Sequence, residues 1–365
     1  MTRSRDQAEP DPALRKAGRV TLADVAGLAR VDRSVVSRVI NSDPRLAVRT
    51  ETRERVLAAI RELGYHPNAA ARSLRTDHAA AVGLIIPDFA NPIYAEIIKG
   101  AEAAARERDQ VLLTADREAD PELYPELLAS GRVDGLLLAA QGLMPPGVVS
   151  SLLALERPVI LLNQKTSSGR CVLLDDEAAA SMAVSHLLQL GHTRIAHLAG
   201  PAGVDTARRR RRGFARAMSQ AELQVPAEYV AEADYRTEGG EQAMRRLLAL
   251  RDGPTAVFVA NVASAIGALS AIGASGRTVP DDMSLVAVHD IPLAAYLSPP
   301  LTTVRMPLRE LGRAGVLALD HPGPRTHVVR APVELIVRGT TGRPPGGGRR
   351  PGAATAAPRS ARDRG

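Results

Sequence analysis

The 365 residues are 45% hydrophobic but only 2% aromatic, with no Trp, enough for two or three domains whose cores are aliphatic. The lone Cys171 excludes an internal disulfide framework and leaves a zinc site no companion cysteines, which points to a reducing cytosol. The formal charge of +7 belongs to the ends: residues 1–78 hold 15 Lys/Arg against 10 Asp/Glu and 339–365 hold six Arg against one Asp, whereas 79–338 hold 26 against 29. That asymmetry favours a nucleic acid bound through a terminal module.

Residues 1–18 are polar, rich in Arg, Asp and Pro, and aperiodic, the pattern of a disordered arm. A helix is predicted from Thr21, which can cap it with Asp24 three residues on. Leu22, Val25, Ala26 and Ala29 give it one buried face. Arg30-Val31-Asp32 is a tight connection, and Asp32 can cap the next helix through its carboxylate. The stretch VDRSVVSRVIN (31–41) sorts into two faces. Val36, Val39 and Ile40 form an apolar stripe; Arg33, Ser37 and Asn41 recur at four-residue spacing on another side, with Ser34 and Arg38 beside them. Two guanidinium groups and three small hydrogen-bonding side chains, with no acid, suit the major groove of DNA. On this stretch alone a solvated basic face is the competing reading. A third helix, 50–63, turns Val56, Ile60 and Leu63 inward and stops at Gly64. Two short helices across so brief a turn make a helix-turn-helix unit.

VTLADVAGLARVDRSVVSRVIN, followed by TRERVLAAIRELGYHPNAAARSLRT, resembles the DNA-binding headpiece of the lactose-repressor (LacI/GalR) family over residues 20–76 in unbroken order. The resemblance implies that Arg33 and Ser34 open the reading helix, with Arg38 on a guanine and Ser37 on a phosphate one turn later. Thr21, Asn41 and Tyr65 match positions that grip the DNA backbone. Residues 68–74, from Asn68, resemble the hinge helix, which in that family enters the minor groove as a pair across a dimer. Ala71 is small enough for the two helices to pack, and Leu74 matches the apolar wedge that kinks the duplex. Asp32 departs from the usual serine; it can cap but would repel a phosphate.

From Ala80 the pattern changes. AAVGLIIPD is an apolar run of strand length, and 91–108 reads as a helix. Further apolar runs lie at 110–114, 133–140, 158–162, 171–174, 195–198, 256–259 and 285–288, most of them separated by helical stretches. Alternating helices and doubly buried strands predict parallel sheets. The resemblance continues in FANPIYAEIIKGAE, HLLQLGHTRIAHLAGP, PTAVFVAN and SPPLTTV. It implies a two-lobed α/β periplasmic-binding-protein-like body, with the chain crossing between lobes near Asp175 and near 302–304. The expected fold is thus an all-α helix-turn-helix headpiece with a hinge helix, then two lobes with parallel sheets. The expected division is an arm at 1–18, the DNA-binding domain at 19–66, hinge and linker at 67–78, the effector-binding and dimerisation body at 79–338, and a disordered basic tail at 339–365.

In such bodies a small ligand sits between lobes at the carboxyl ends of strands. The resemblance places Asn91, Tyr94, Asp175, Arg210, Tyr235, Asn261 and His289 in that cleft. Two departures affect the ligand. The family's acid after the strand ending at Val288 is His289, with Asp290 one place later, and an Asn-Asp pair is Asn261-Val262. Of the run Arg208–Arg212, Arg210 is expected inward and the rest on a solvated helix face, with a site for an anionic effector such as a sugar phosphate as the competing reading. His186, His192 and His197 match no zinc spacing and are expected at the surface or as caps.

No G-x-S-x-G elbow, Walker loop, membrane-length apolar run or signal-peptide core is found. The expectation is a cytosolic, homodimeric or higher-order transcriptional regulator, a repressor, with no catalytic activity, cofactor or metal. Its partners are double-stranded DNA with a pseudo-palindromic operator and a sugar-like or sugar-phosphate effector. The alternatives are an effector-blind DNA binder and a small-molecule binding module without a DNA role.

Overall fold

The structure, a computed structural model, describes residues 20–40, 48–65, 78–116, 123–139, 146–166, 169–320 and 325–345. The chain divides into two compact units, Met1–Asp77 and His78–Gly365.

In the first unit three helices surround a small aliphatic core: α1 (Leu22–Ala29), α2 (Arg33–Ile40) and α3 (Thr50–Leu63). Thr21 and Asp24 form a reciprocal capping box at the start of α1, and Arg30 ends it in the left-handed conformation, φ 52°. Asp32 accepts from Ser34 N–H at 2.7 Å, which starts α2 after a three-residue connection. Gly64, at φ 58°, ends α3. Val25, Ala26, Ala29, Val36, Val39, Val56, Ala59 and Tyr65 are buried together, with Ile60 and Leu63 packed against them.

The second unit has two six-stranded sheets. In the first lobe the order is β11 (Thr326–Val328), β5 (Arg170–Leu173), β4 (Val159–Leu162), β3 (Gly135–Leu138), β1 (Ala81–Ile86) and β2 (Val111–Asp116). In the second it is β12 (Glu334–Ile336), β10 (Thr302–Arg305), β9 (Ser284–Val288), β8 (Ala256–Val259), β6 (Ile195–Ala199) and β7 (Val230–Glu232). All pairings are parallel except β10 with β12. The wholly buried strands β1, β3, β4, β6, β8 and β9 explain the continuous apolar runs. In the first lobe the Ile93–Arg106 and Leu308–Asp320 helices touch backbone to backbone. A Cβ on Gly100 would stand 2.0 Å from Arg309 O, and one on Gly312 2.0 Å from Ile97 O, so glycine is required at both.

Three features differ from the sequence reading. The chain crosses between lobes three times: at 174–176, between β10 and the Leu308–Asp320 helix, and at 329–333. The crossing expected near 302–304 falls just after β10, at 306–307, and the one at 329–333 is unexpected. The strands β7, β10, β11 and β12, reading VAE, TTVR, THV and ELI, are short and mix in polar residues, so they leave no apolar run. The basic tail also begins later than 339. Thr340 is fully buried, accepting from Thr302 N–H and donating to Leu285 O, and Gly342 N–H donates to Ser284. Asn41, the hinge residues Asn68, Ala71 and Leu74, the arm at 1–18 and the tail beyond 345 lie outside the described residues.

Candidate functional site

α2 presents one face to each environment. Val36 and Val39 are buried against α1 and α3, while Arg33, Ser34 and Arg38 are exposed and Ser37 is partly covered. The short, tightly turned connection leaves the polar face of this helix turned away from the core of its unit. Tyr65 lies mostly in the core, 9% exposed. Thr21, expected to grip the DNA backbone, donates its hydroxyl to Asp24 Oδ2 at 2.7 Å within the capping box. That hydrogen bond, with the one from Thr21 N–H, holds the Asp24 carboxyl below the usual range. Asp32 is likewise lowered by its hydrogen bonds with Ser34, and its charge stays on the helix start.

Between the lobes lies a cavity of about 610 Å³ at the carboxyl ends of the strands. Asn91, Tyr94, Asn163 and Gln164 line it from the first lobe; Thr206, Arg210, Tyr235, Asn261 and His289 line it from the second. Six of the seven residues expected in the cleft are therefore brought together. Asp175 is not among them. It is exposed and caps the Asp176–Gln189 helix by accepting from Ala178 N–H at 2.9 Å; its neighbour Asp176 is the one that turns inward, fully buried. An acidic doublet at a helix start offers two registers, and spacing alone does not choose between them.

Asp176 anchors the floor. Its Oδ1 accepts from Arg210 Nε at 2.7 Å, while its Oδ2 stands 2.6 Å from Arg209 Nη1, attracted by charge without hydrogen-bond alignment. Arg209 also pairs with Asp205 at 2.9 Å. Two arginines and two carboxylates thus form a buried neutral quartet. The expectation of a solvated face fails at Arg209, which is buried by this pairing. Arg208 and Arg212 are exposed and pair with Asp205 and Glu177 outside the cavity. Arg208, Arg209, Arg210 and Arg212 of the run are thus each paired with a carboxylate.

Arg210 is engaged on all three nitrogens. Besides Asp176 it donates to Ala260 O and, from Nη2, to His289 Nε2 at 3.1 Å. That bond assigns the His289 proton to Nδ1, which is buried without a partner. Burial first, and the adjacent Arg210 second, push the His289 pKa well down, so the ring is neutral. Asp290 does not replace the missing acid: it faces away, bonded to Thr303 and paired with Arg305 and Arg338, each at 2.8 Å. Burial would raise its carboxyl, but these three partners hold it low.

Tyr235 lies beneath Arg210, whose Cζ is 5.9 Å from the ring centre, and its hydroxyl meets Thr206 at 3.2 Å. The ring rests on Gly200, where a Cβ would stand 2.1 Å away. Asn261 is structural as well as lining: its Oδ1 caps the Val262–Ala274 helix and its Nδ2 donates to Tyr235 O at 2.8 Å. Burial raises the Tyr94 and Tyr235 phenols, so both keep their protons to donate. Tyr235, His289 and Asn163 all have left-handed backbones, φ 69°, 78° and 51°. Such conformations are uncommon away from glycine and gather at binding sites. Nothing in the sequence marks them, because none is a glycine.

The three histidines stand apart. His197, expected at the surface, is buried between Phe214 and Phe258, with ring centres 5.1 and 4.8 Å away; burial lowers its pKa to about 4. His192 is also buried, bonded to Thr255, Ser284 and Gly342 O, and His186 meets Thr341. Among the described residues no three His, Cys, Asp or Glu gather as a metal site, and no helix is long and apolar enough to cross a membrane.

Residues 21–68 match the family described as bacterial regulatory proteins, lacI family, and residues 184–341 match the periplasmic binding protein-like domain. The chain is 36% identical over 306 residues to the ribose operon repressor of Escherichia coli K12, covering 82% of this chain and 92% of that protein. It is 35% identical over 303 residues to the HTH-type transcriptional repressor PurR of Aliivibrio fischeri MJ11, covering 81% and 89%. Among solved structures it is similar to a Lac repressor dimer bound to operator and the anti-inducer ONPF, with a TM-score of 0.76, 29% identity, and 88% of this chain and 99% of that one covered.

Proposed function

The chain belongs to the lacI family of bacterial regulatory proteins, and from that premise we propose how it works: as a sequence-specific repressor whose operator affinity a small polar effector sets from the interlobe cleft. The observation that carries the reading is α2, whose apolar face is buried while Arg33, Ser34 and Arg38 are exposed on its polar side. Guanidinium groups on a helix able to enter the major groove can pair bidentately with guanine. We assign base reading to Arg33, Ser34 and Arg38 and a phosphate contact to Ser37. The hinge roles of Asn68, Ala71 and Leu74, and the backbone contact of Asn41, rest on the family resemblance. A homodimer supplies two such helices, so the operator is pseudo-palindromic. The protein acts in the cytoplasm and carries out no catalysis.

The cleft favours an uncharged effector over a sugar phosphate. Of the two arginines on its lining, Arg210 is neutralised by Asp176, and Arg236 stands among Asp88, Asp234 and Glu238. A phosphate there would face more acid than base. Tyr94, Tyr235, Thr206, Asn91 and Gln164 suit the hydroxyls of a sugar-like molecule.

One observation favours a second reading, an effector-blind DNA binder: Arg210 and Asn261 are already bonded within the protein. A thermal-shift screen of sugars and sugar phosphates separates the two. A rise in Tm with any of them supports the effector reading, and no rise with any supports the blind one. The DNA reading is tested by footprinting the region upstream of the protein's own gene. A symmetric protected segment is expected, and protection without sequence preference would contradict it.

A further inference from the structure

The Asp205–Gln220 helix belongs to the second lobe, yet two of its side chains grip the first. Arg209 Nη2 donates to Asn163 O at 2.9 Å and to Asn163 Oδ1 at 3.0 Å, and Nη1 donates to Leu174 O at 2.7 Å, where the chain leaves the first lobe. Asp205 accepts from the backbone N–H of Lys165 at 3.0 Å while holding Arg209 Nε at 2.9 Å. Asn163 closes the arrangement by accepting from Leu174 N–H at 2.9 Å. Asn163 and Gln164 line the cavity, whereas Arg209 and Asp205 do not. The second pair therefore acts on the wall of the cleft and not on its contents.

We infer that Arg209 and Asp205 are positioning residues of an interlobe latch: they hold the 163–165 segment of the first lobe to the second and so set the spacing of the two cavity walls. A buried guanidinium is tolerated only while its acceptors stay in place, because its charge is otherwise left uncompensated. Separating the lobes would strip Arg209 of both Asn163 acceptors and Asp205 of the Lys165 N–H. The latch is thus held or lost as a unit, which gives the lobes two discrete arrangements instead of a continuum. A ligand touching Asn163 or Gln164 presses on the segment the latch grips. Because Arg209 and Asp205 do not line the cavity, they adjust the response to an effector without altering its contacts. That consequence rests on the cleft being the effector site, but the latch itself does not.

The test is the distance between lobes. Nitroxide labels at Glu156→Cys in the first lobe and Gln220→Cys in the second are placed in the full chain, where native Cys171 is buried. Dilution with unlabelled chain leaves pairs within one protomer for pulsed electron–electron resonance. One narrow distribution is expected with the latch intact. The double variant Asp205→Asn with Arg209→Met removes one charge of each sign and is expected to broaden the distribution and lengthen it by more than about 2 Å. Asn163→Gly keeps the ion pair, suits a φ of 51°, and is expected to shift it less in the same direction. If circular dichroism shows the double variant unfolded, Asn163→Gly decides alone. An unchanged distribution in the deciding, folded variant overturns the latch. Operator binding by the same intact protein is read separately: its failure counts against the regulator and leaves the distance result standing.

Discussion

Arg33 and Arg38 in the first unit and Arg209 and Arg210 in the second are two sets of arginines with opposite surroundings. The first two are exposed on a helix whose other face forms the core. The second two are buried, facing Asp176 and Asp205. The contrast shows how a guanidinium group divides its work. Left hydrated, it can trade water for a nucleic acid and costs the fold little. Buried, it must be neutralised by its own chain, and then it orders the site without attracting an anion.

The sharpest way to break this contrast is to remove one partner on each side. Asp176→Ala leaves Arg209 and Arg210 with one carboxylate between them and should cost about 3–5 kcal/mol in urea unfolding. Arg33→Ala should stay within about 0.5 kcal/mol in the same experiment. Equal losses would mean that the two surroundings are not distinct.

A pH series comes next. Burial lowers the His197 pKa to about 4 from 6.5. A neutral ring therefore contributes fully above pH 6.5, and the contribution is lost as pH falls from 6.5 through 4, up to about 3 kcal/mol. His197→Phe should flatten stability across that window relative to the unsubstituted protein. DNA binding by the headpiece has no buried histidine to titrate among the residues described, so a loss confined to the second unit is expected, visible as probe-dependent unfolding.

Arg38→Ala should cost about 1–3 kcal/mol of operator affinity at one base position and leave other positions unchanged. A uniform loss across sequences would assign Arg38 to a phosphate. The smallest effect is expected at Thr21→Ala, about 1 kcal/mol of headpiece stability from the lost capping box, with operator affinity unchanged where the headpiece stays folded. An equal loss of affinity at every sequence would make Thr21 a backbone contact.

The same contrast explains which features are visible in the sequence. α2 is one helix with one buried stripe, so the spacing of Val36, Val39, Arg33 and Arg38 shows both faces. The cleft is assembled from strand ends and loops of two lobes. Single positions such as Tyr94 and Arg210 are visible through family resemblance, but their partners are not. Whether Asp175 or Asp176 turns inward depends on where a helix starts. Whether Arg209 is solvated depends on Asp205 one turn earlier and Asn163 in another lobe. His197 has no neighbours in sequence to announce its place between Phe214 and Phe258. The buried strands show themselves as apolar runs, while β10 to β12 carry Thr, Arg, His and Glu and do not.

The central claim is that the exposed face of α2 reads bases as one half of a symmetric pair. Selection of random duplex DNA by the full chain tests it directly. The expected result is enrichment of two inverted half-sites at fixed spacing, with one invariant guanine whose selection weakens in Arg38→Ala. Enrichment of no motif, or of a single unpaired half-site indifferent to Arg38, would contradict it.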